Sequence, residues 1–350
     1  MPSRSFFSGK RVLLTGHSGF KGSWMCAILD ELGADTYGYS LEPPTDPSLF
    51  DVAGIGDICT TETGDVRDLP KLKEFYRRAR PDVVIHMAAQ PIVRIGYRDP
   101  VTTYETNVMG TVNVLECART CGMPDSLLNI TTDKVYRNNE TGIPFRETEP
   151  LDGFDPYSNS KSCSELVTAS YSRSFFQDAA VSTARAGNVI GGGDFAPDRI
   201  VPDCIRAAMA GRPVVLRNPG SVRPYQHVLE PLTAYLDIIE RQSEDHTLSG
   251  SYNVGPLEED CVTTGQLAEM FCTAWGEGAS YICEGDSGPH EAGLLRLDIA
   301  KIRNDIGFEP RWRVREAVGK TVEWAQSWMD GEDMLERTRA QIREYGAVVR

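Results

Sequence analysis

Along the first half of the chain, apolar positions fall into short runs separated by longer mixed stretches. RVLLT at 11–15 reads as a strand, and KGSWMCAILDELGA at 21–34 as a helix closing on a glycine. DTYGYS at 35–40 is a second strand, DICTTETGD at 57–65 carries a third, and PDVVIHMAA at 81–89 is a strong buried strand. VTTYETNVMGTVNVLECARTCG at 101–122 predicts one long helix, followed by a strand in SLLNITTD at 126–133. NSKSCSELVTASYSRSFF at 159–176 is another helix and AAVSTARAGN at 179–188 another strand. Strands alternating with helices predict an α/β protein with a Rossmann-type, doubly wound parallel sheet. Right-handed crossovers then place every strand's C-terminal end on one side.

Past residue 190 the pattern changes. GGGD at 191–194 opens a region rich in loops, with helices expected at about 199–210, 229–241, 264–275 and 314–329. The expected organisation is a dinucleotide-binding domain over 1–190, rejoined by 225–241, and a smaller α+β substrate-binding lobe over most of 191–350.

Composition narrows the function classes. The 350 residues carry a formal net charge of -14, which argues against nucleic acid or an anionic membrane as partner. No run approaches the ~20 apolar residues of a membrane helix. MPSRSFFSGKRVLLTGHSG reads as an entering strand rather than a signal peptide. Nine scattered cysteines without a CxxC pair suit a reduced cytoplasm. Neither they nor the five histidines show ligand spacing, so no bound metal is expected.

GHSGFKG follows the first strand and opens the first helix, with Gly16, Gly19 and Gly22 flanking His17, Phe20 and Lys21. Glycines there permit a tight turn and let a diphosphate approach the helix N-terminus. The second strand ends at Ser40, with no Arg or Lys after it to take a 2′-phosphate, so NAD is favoured over NADP. Lys21 is the residue that would approach such a phosphate. Asp65 and Val66 follow the third strand, where they would meet the adenine; a turn-capping Asp65 is the equal alternative. Ala88, Ala89 and Gln90 close the fourth strand, and small residues there let a cofactor lie close.

YSNSK places Tyr157 and Lys161 at i, i+4, on one face of a helix. A phenol with pKa near ~10 is a poor base. A neighbouring ammonium, helped by an oxidised nicotinamide, would stabilise the phenolate and let Tyr157 take a proton from a sugar hydroxyl. Thr132, ending the fifth strand, is placed to hydrogen-bond that hydroxyl. Asn107 in the long helix is placed to hold backbone or water in a proton relay.

The glycine loop, MAAQ, TTDKVY and YSNSK, in this order, resemble the extended short-chain dehydrogenase/reductase family, the NAD-dependent epimerases and dehydratases. Longer stretches look closer still to its nucleotide-sugar 4,6-dehydratases: TGHSGFKGSW, GYSLEPPTDPSLF, HMAAQPIVR, YETNVMGTVNVLE, DPYSNSKSCSELV, RAGNVIGGGDFAPDRIVPD, LRNPGSVRPYQHVLEPL and PHEAGLLRLD. Thr132-Asp133-Lys134 is similar to the branch acting on a cytidine diphosphate sugar; dehydratases of the dTDP-glucose type carry Glu after the Asp, and epimerases normally lack an acid directly after that Ser or Thr. The resemblance implies CDP-glucose as substrate and a lyase reaction: oxidation at C4 with Tyr157 as base, loss of water across C5 and C6 with Asp133 as general acid, and hydride return to C6. Three roles are open for Lys134: base, cation beside the enolate, or a group that orients Asp133. Arg94, Arg185, Asn188, Arg199, Arg217, Arg223, His227 and His290 are candidate substrate contacts. The family typically pairs its two long helices, here near 101–121 and 158–175, so a homodimer or homotetramer is expected.

Overall fold

The computed structural model describes residues 1–138, 140–177, 179–284 and 294–348. Seven strands form one sheet: β1 (Arg11–Thr15), β2 (Asp35–Ser40), β3 (Thr60–Thr63), β4 (Val83–His86), β5 (Ser126–Ile130), β6 (Ala180–Ala186) and β7 (Ser251–Val254). Their spatial order is β7-β6-β5-β4-β1-β2-β3 and every neighbouring pair is parallel. The chain winds outward from β1 through β3, then crosses back to β4 and winds the other way. The switch point therefore lies between β1 and β4, where Thr15 pairs with His86.

Successive residues of a strand face opposite sides, and the core divides accordingly. Val12, Leu14, Val83, Ile85 and Leu128 belong to one apolar layer, while Leu13, Val84 and Leu127 belong to the other. Helices cover both layers, as a parallel sheet requires. Helices α1 (Phe20–Leu32) and α6 (Leu229–Glu244) fill the first with Trp24, Ile28, Leu232 and Ile238. Helices α2 (Leu69–Ala79) and α3 (Gly110–Cys121) fill the second with Phe75, Tyr76, Val114 and Leu115. Helix α4 (Pro156–Phe175) runs beside α3 and carries the YSNSK segment.

The segment expected as one helix over 101–122 is interrupted. Pro100–Tyr104 and α3 are α-helical, but Glu105–Met109 between them is a π-turn. Such wide turns recur at functional sites, and this one carries the buried Asn107.

A separate core forms from α5 (Ile200–Met209), α7 (Thr264–Trp275) and α8 (Val314–Met329), with Ile205, Leu267, Phe271, Val318 and Val322 buried in it. Short strand pairs brace this part, among them Val222–Pro224 against Cys261–Thr263. The chain returns to the large sheet through α6, which packs on β5 and β6, and through β7, which lies past 241 and pairs with β6. Helix α9 (Met334–Tyr345) closes back on α1, where Arg339 pairs with Asp30 at 2.5 Å and Arg343 with Glu31 at 3.3 Å. Among the described residues, no helix is long and apolar enough to cross a membrane.

Candidate active site

The glycine loop lies at the switch point, and its three glycines differ in what they do. Gly16 has φ +78°, and a Cβ there would stand 2.8 Å from the Ala88 amide nitrogen. A Cβ on Gly22 would stand 2.1 Å from the Gly16 carbonyl oxygen. These two are glycine because the protein's own backbone fills the space. Gly19 is different. A Cβ there would meet only the Gly16 oxygen at 3.5 Å, an ordinary contact, and its φ of -79° suits any residue. Gly19 is also the N-cap of α1 and provides no side-chain cap to the amides that open the helix. The chain's own packing gives no reason for a glycine there; close approach by an outside anion does.

Around this loop the polar side chains are fixed. The Ser40 hydroxyl meets His17 Nδ1 at 2.9 Å and donates to Ser18 Oγ at 2.8 Å. His17 is buried beside Phe50, and burial lowers its imidazole to about 4, so it is neutral. Asp65 accepts from the Arg67 guanidinium at 2.7 Å and from the Arg67 amide at 2.8 Å. Of the two roles open to Asp65, its carboxylate is engaged in the turn. The Val66 carbonyl accepts from Asn113. At the end of β4, Asn107 Oδ1 accepts from the Gln90 amide at 2.8 Å. The Asn107 Nδ2 donates to the Gln90 carbonyl and to Ser160 Oγ at 2.9 Å. The π-turn thus clamps the MAAQ segment to α4, one residue from Lys161.

Asp155 caps α4, accepting from the Tyr157 and Ser158 amides at 3.0 and 3.1 Å. Pro156 occupies the first turn, where its missing N–H is no loss. Tyr157 and Lys161 are both buried one turn apart, and Lys161 Nζ donates to the Ile130 carbonyl at 2.9 Å at the end of β5. Thr132 and Lys134 converge on one carboxylate oxygen: the Thr132 hydroxyl and Lys134 Nζ donate to Asp133 Oδ1 at 3.0 and 3.1 Å. Among the described residues Asp133 Oδ2 has no partner, and a Cβ on Gly187 would stand 2.1 Å from it.

A crevice of about 350 Å³ unites much of this. Thr132, Lys134 and Tyr157 line it, with Lys21, Arg94, Asn188, Arg199, Arg217 and Arg223. Its wall carries six cationic side chains against three aspartates, Asp194, Asp198 and Asp203. In a chain of net charge -14, that local excess marks a site for an anion. Arg199 is steadied by Asp194 at 3.0 Å and Arg217 by Asp198 at 3.4 Å. The Asn188 backbone is left-handed at φ +33°, and its buried Oδ1 has no partner among the described residues.

Several expectations are corrected. Asp133 is fully buried and stands behind the crevice wall rather than on it, reaching the crevice through Thr132 and Lys134. The phenol of Tyr157 is not lowered in the chain by itself: burial pushes it up to about 12, the Thr132 hydrogen bond acting in the opposite sense. Lys161 is lowered to about 8, again chiefly by burial, with Glu165 opposing.

Arg185 does not face the crevice. It is buried in β6, paired with Glu165 at 2.8 Å and hydrogen-bonded to the Tyr136 hydroxyl at 2.8 Å. His227 is buried between Trp24 and Trp312, and burial lowers its imidazole to about 3. Lys21 Nζ donates to the Tyr235 hydroxyl of α6 at 3.1 Å. His290 lies outside the described residues.

Sequence reasoning also passed over Gly187, which makes room for Asp133, and Glu165, one turn beyond Lys161. Glu165 accepts from Thr131 at 2.5 Å and Thr183 at 2.7 Å. The glutamate one turn on in YSNSKSCSE is the only trace of that network in the sequence. Among the described residues, no three His, Cys, Asp or Glu side chains are grouped to hold a metal.

A doubly wound sheet with a glycine-rich turn at its switch point and a buried Tyr–Lys pair beside it defines a dinucleotide-dependent enzyme of the short-chain type. Residues 12–255 match the NAD dependent epimerase/dehydratase family, and the chain belongs to that family. It is 44% identical over 353 residues to the CDP-glucose 4,6-dehydratase of Salmonella typhimurium, covering 99% of this chain and 98% of that protein. It is 29% identical to the dTDP-glucose 4,6-dehydratase of Streptomyces antibioticus, covering 89% and 91% of the two chains. The fold is that of the UDP-glucose 4-epimerase of Thermotoga maritima solved with UDP-glucose, at TM-score 0.80, 22% identity, and 91% and 99% coverage. It is likewise that of the dTDP-glucose 4,6-dehydratase of Bacillus anthracis in complex with NAD, at TM-score 0.74, 22% identity, and 93% and 99% coverage.

The family's cofactor is NAD, and the residues fit it. The room kept free at Gly19 and the uncapped start of α1 are what a dinucleotide diphosphate requires. Gly19→Ala should therefore fold with an unchanged melting temperature yet lose NAD affinity by about 10-fold or more, on the scale of one or two charge-assisted hydrogen bonds. Calorimetric titration with NAD checks this. A variant that binds NAD normally would show that the space at Gly19 serves no ligand.

Proposed function

We propose that the chain dehydrates CDP-glucose to CDP-4-keto-6-deoxyglucose. The observation that carries this reading is the buried acid directly after Thr132, joined to the crevice that also holds Tyr157. An epimerase must move hydride and one hydroxyl proton; a dehydratase must also protonate a leaving hydroxyl, and Asp133 is the group for that task. The 44% identity to the Salmonella typhimurium enzyme over nearly the whole chain supports cytosine as the base.

In this reading Tyr157 accepts the O4 proton while Thr132 orients that hydroxyl. Bound NAD would supply the hydride acceptor at C4 and the donor that returns hydride to C6. Asp133, protonated, gives its proton to the departing 6-hydroxyl through Thr132 and Lys134, while a base on the crevice wall takes the C5 proton, so that water is lost across C5 and C6. Lys134 lines the crevice with its Nζ 3.1 Å from Asp133 Oδ1, and we assign it the C5 proton, which it can pass on to reset Asp133. Arg199, Arg217 and Arg223 bind the sugar diphosphate from the smaller lobe, and Arg94 and Asn188 complete the wall.

The sheet-bearing part, 1–190 with 225–254, holds the cofactor, and most of the remainder holds the sugar nucleotide. Incubation with CDP-, dTDP-, UDP- and GDP-glucose tests the reading: a 4-keto product should form fastest from CDP-glucose. Release of an epimer without water loss would overturn it.

We also propose a homodimer through the helices that carry the exposed Val101, Met109, Leu166 and Phe175. Sedimentation should give twice the chain mass, and Leu166→Glu with Met109→Glu should give one.

A further inference from the structure

One cation on the crevice wall has surroundings that its packing does not account for. Lys21 stands in the first turn of α1, two residues past Gly19. Its stem reaches into the crevice and its Nζ rests on Tyr235 of α6, 3.1 Å from the hydroxyl and 5.1 Å from the ring centroid. A neutral phenol is its hydrogen-bond partner, and among the described residues it has no ion pair.

The charged groups that face it are Lys161 from α4, Arg199 from the segment before α5 and Asp133 behind the wall; the Tyr235 phenol of α6 is its hydrogen-bond partner, and Tyr157 lines the same crevice. Lys161 and Arg199 repel an ammonium there, and only Asp133 favours one, with the smallest influence. Tyr235 cannot help by ionising, since burial pushes its phenol far up. Enclosing a lysine among cations is unfavourable unless something anionic completes the site.

We propose that Lys21 is a counter-cation for the diphosphate bridge of the dinucleotide, braced by Tyr235 so that α6 and the glycine loop hold the cofactor together. Two placements assign it to the dinucleotide rather than to the sugar nucleotide. It belongs to the same helical turn as the uncapped amides behind Gly19. The arginines from the smaller lobe, Arg217 and Arg223, already serve the far wall. An ammonium in that turn adds full charge where the helix end offers only partial charge.

The assignment has a thermodynamic consequence. Burial, then the two neighbouring cations, lowers the ligand-free amine to about 7. A bound diphosphate favours the charged form and raises it. Above neutral pH, then, NAD binding should draw a proton onto the protein, and well below pH 7 it should not. The inference rests on the family's cofactor and not on which sugar reaction follows.

Calorimetric titration of the full-length chain with NAD, in buffers of different ionisation enthalpy, tests it. At pH 8.5 the wild-type chain should take up about one proton per NAD, since an amine with pKa near 7 is then mostly neutral before binding. Lys21→Met should take up none and bind NAD about 10–100-fold more weakly, the scale of a hydrogen bond to a charged group. Lys21→Arg should stay within about threefold of wild type, because the charge is kept.

Ligand-free Lys21→Met should melt at or above the wild-type temperature, since an unfavourably buried amine has been removed. CDP-glucose should bind the NAD-saturated variant as it binds wild type. Equal NAD affinity in Lys21→Met, or a lowered melting temperature without ligand, would overturn the proposal. Unchanged NAD affinity with weakened CDP-glucose binding would also overturn it, and would assign Lys21 to the substrate's diphosphate.

Discussion

Tyr157→Phe should lower kcat by about 10³-fold, within the range expected for loss of a general base, while NAD and CDP-glucose stay bound. The aromatic ring remains in place, so the helix start built by Asp155 and Pro156 is undisturbed. What is lost is the phenolic oxygen beside Thr132. The pH dependence should change as well. Burial holds the phenol at about 12 in the chain alone, so the reactive phenolate is a minor form at neutral pH and grows as pH rises. Nearby positive charge must bring that value down for the reaction to run near neutrality: Arg199 acts in that sense in the chain alone, and the Lys161 ammonium and an oxidised nicotinamide would add to it. Lys161 holds its proton up to about pH 8, which leaves the ammonium largely intact over that range. Wild-type kcat should therefore rise with pH through the phenol's working pKa, and the Phe variant should lose that rise. A variant retaining a tenth of the wild-type rate, with the same pH profile, would remove Tyr157 from the chemistry.

Arg185→Met should destabilise the protein by about 3–5 kcal/mol, the usual result of leaving one partner of a buried ion pair alone. Arg185 and Glu165 are 3% and 2% exposed, so neither charge has water to fall back on. Glu165 also receives the hydroxyls of Thr131 and Thr183, and thereby ties α4 to β5 and β6. The effect belongs in the denaturation curve, with the KM of the folded fraction little changed. A stable Arg185→Met with a raised KM would return Arg185 to the substrate site.

That correction shows what the sequence could and could not reveal. Strands β1 and β4 were legible because parallel strands covered on both faces are written as apolar runs, whereas β3, TTET, is polar and largely exposed and was read from its place in the alternation. The glycine loop and YSNSK were legible because their chemistry is local in sequence. Arg185 was not. It ends a strand just where ligand-binding residues collect, and its partner lies 20 residues back on a helix. His227 misleads for the same reason, since only the fold encloses it between two tryptophans.

Strand β7, SYNV, is too short and too polar to stand out, and pairing with β6 is what makes it a strand. Helix α2 went unpredicted although Asp68 caps it and Pro70 sits in its first turn. Helix α9 went unpredicted because charged positions dominate it, with Met334, Ile342 and Tyr345 as its buried anchors. Lys21 was visible as a cation in the glycine loop, but the direction it takes depends on Tyr235, 214 residues away.

The placement of Asp133 could not be read either. Its adjacency to Thr132 was plain, yet its depth behind the wall is set by Gly187, which offers no side chain to occupy that space. Two neighbours on one of its oxygens and none on the other leave the carboxyl with a free face inside the protein.

The proposed reaction removes hydrogen from C4, expels water across C5 and C6, and restores the same hydrogen at C6, all within one crevice. CDP-glucose carrying deuterium at C4, followed by mass spectrometry and proton NMR, tests this most directly. The expected product is a CDP-4-keto-6-deoxyglucose lighter by one water, with the deuterium in its C6 methyl group. Deuterium still at C4 of an intact hexose would contradict the account.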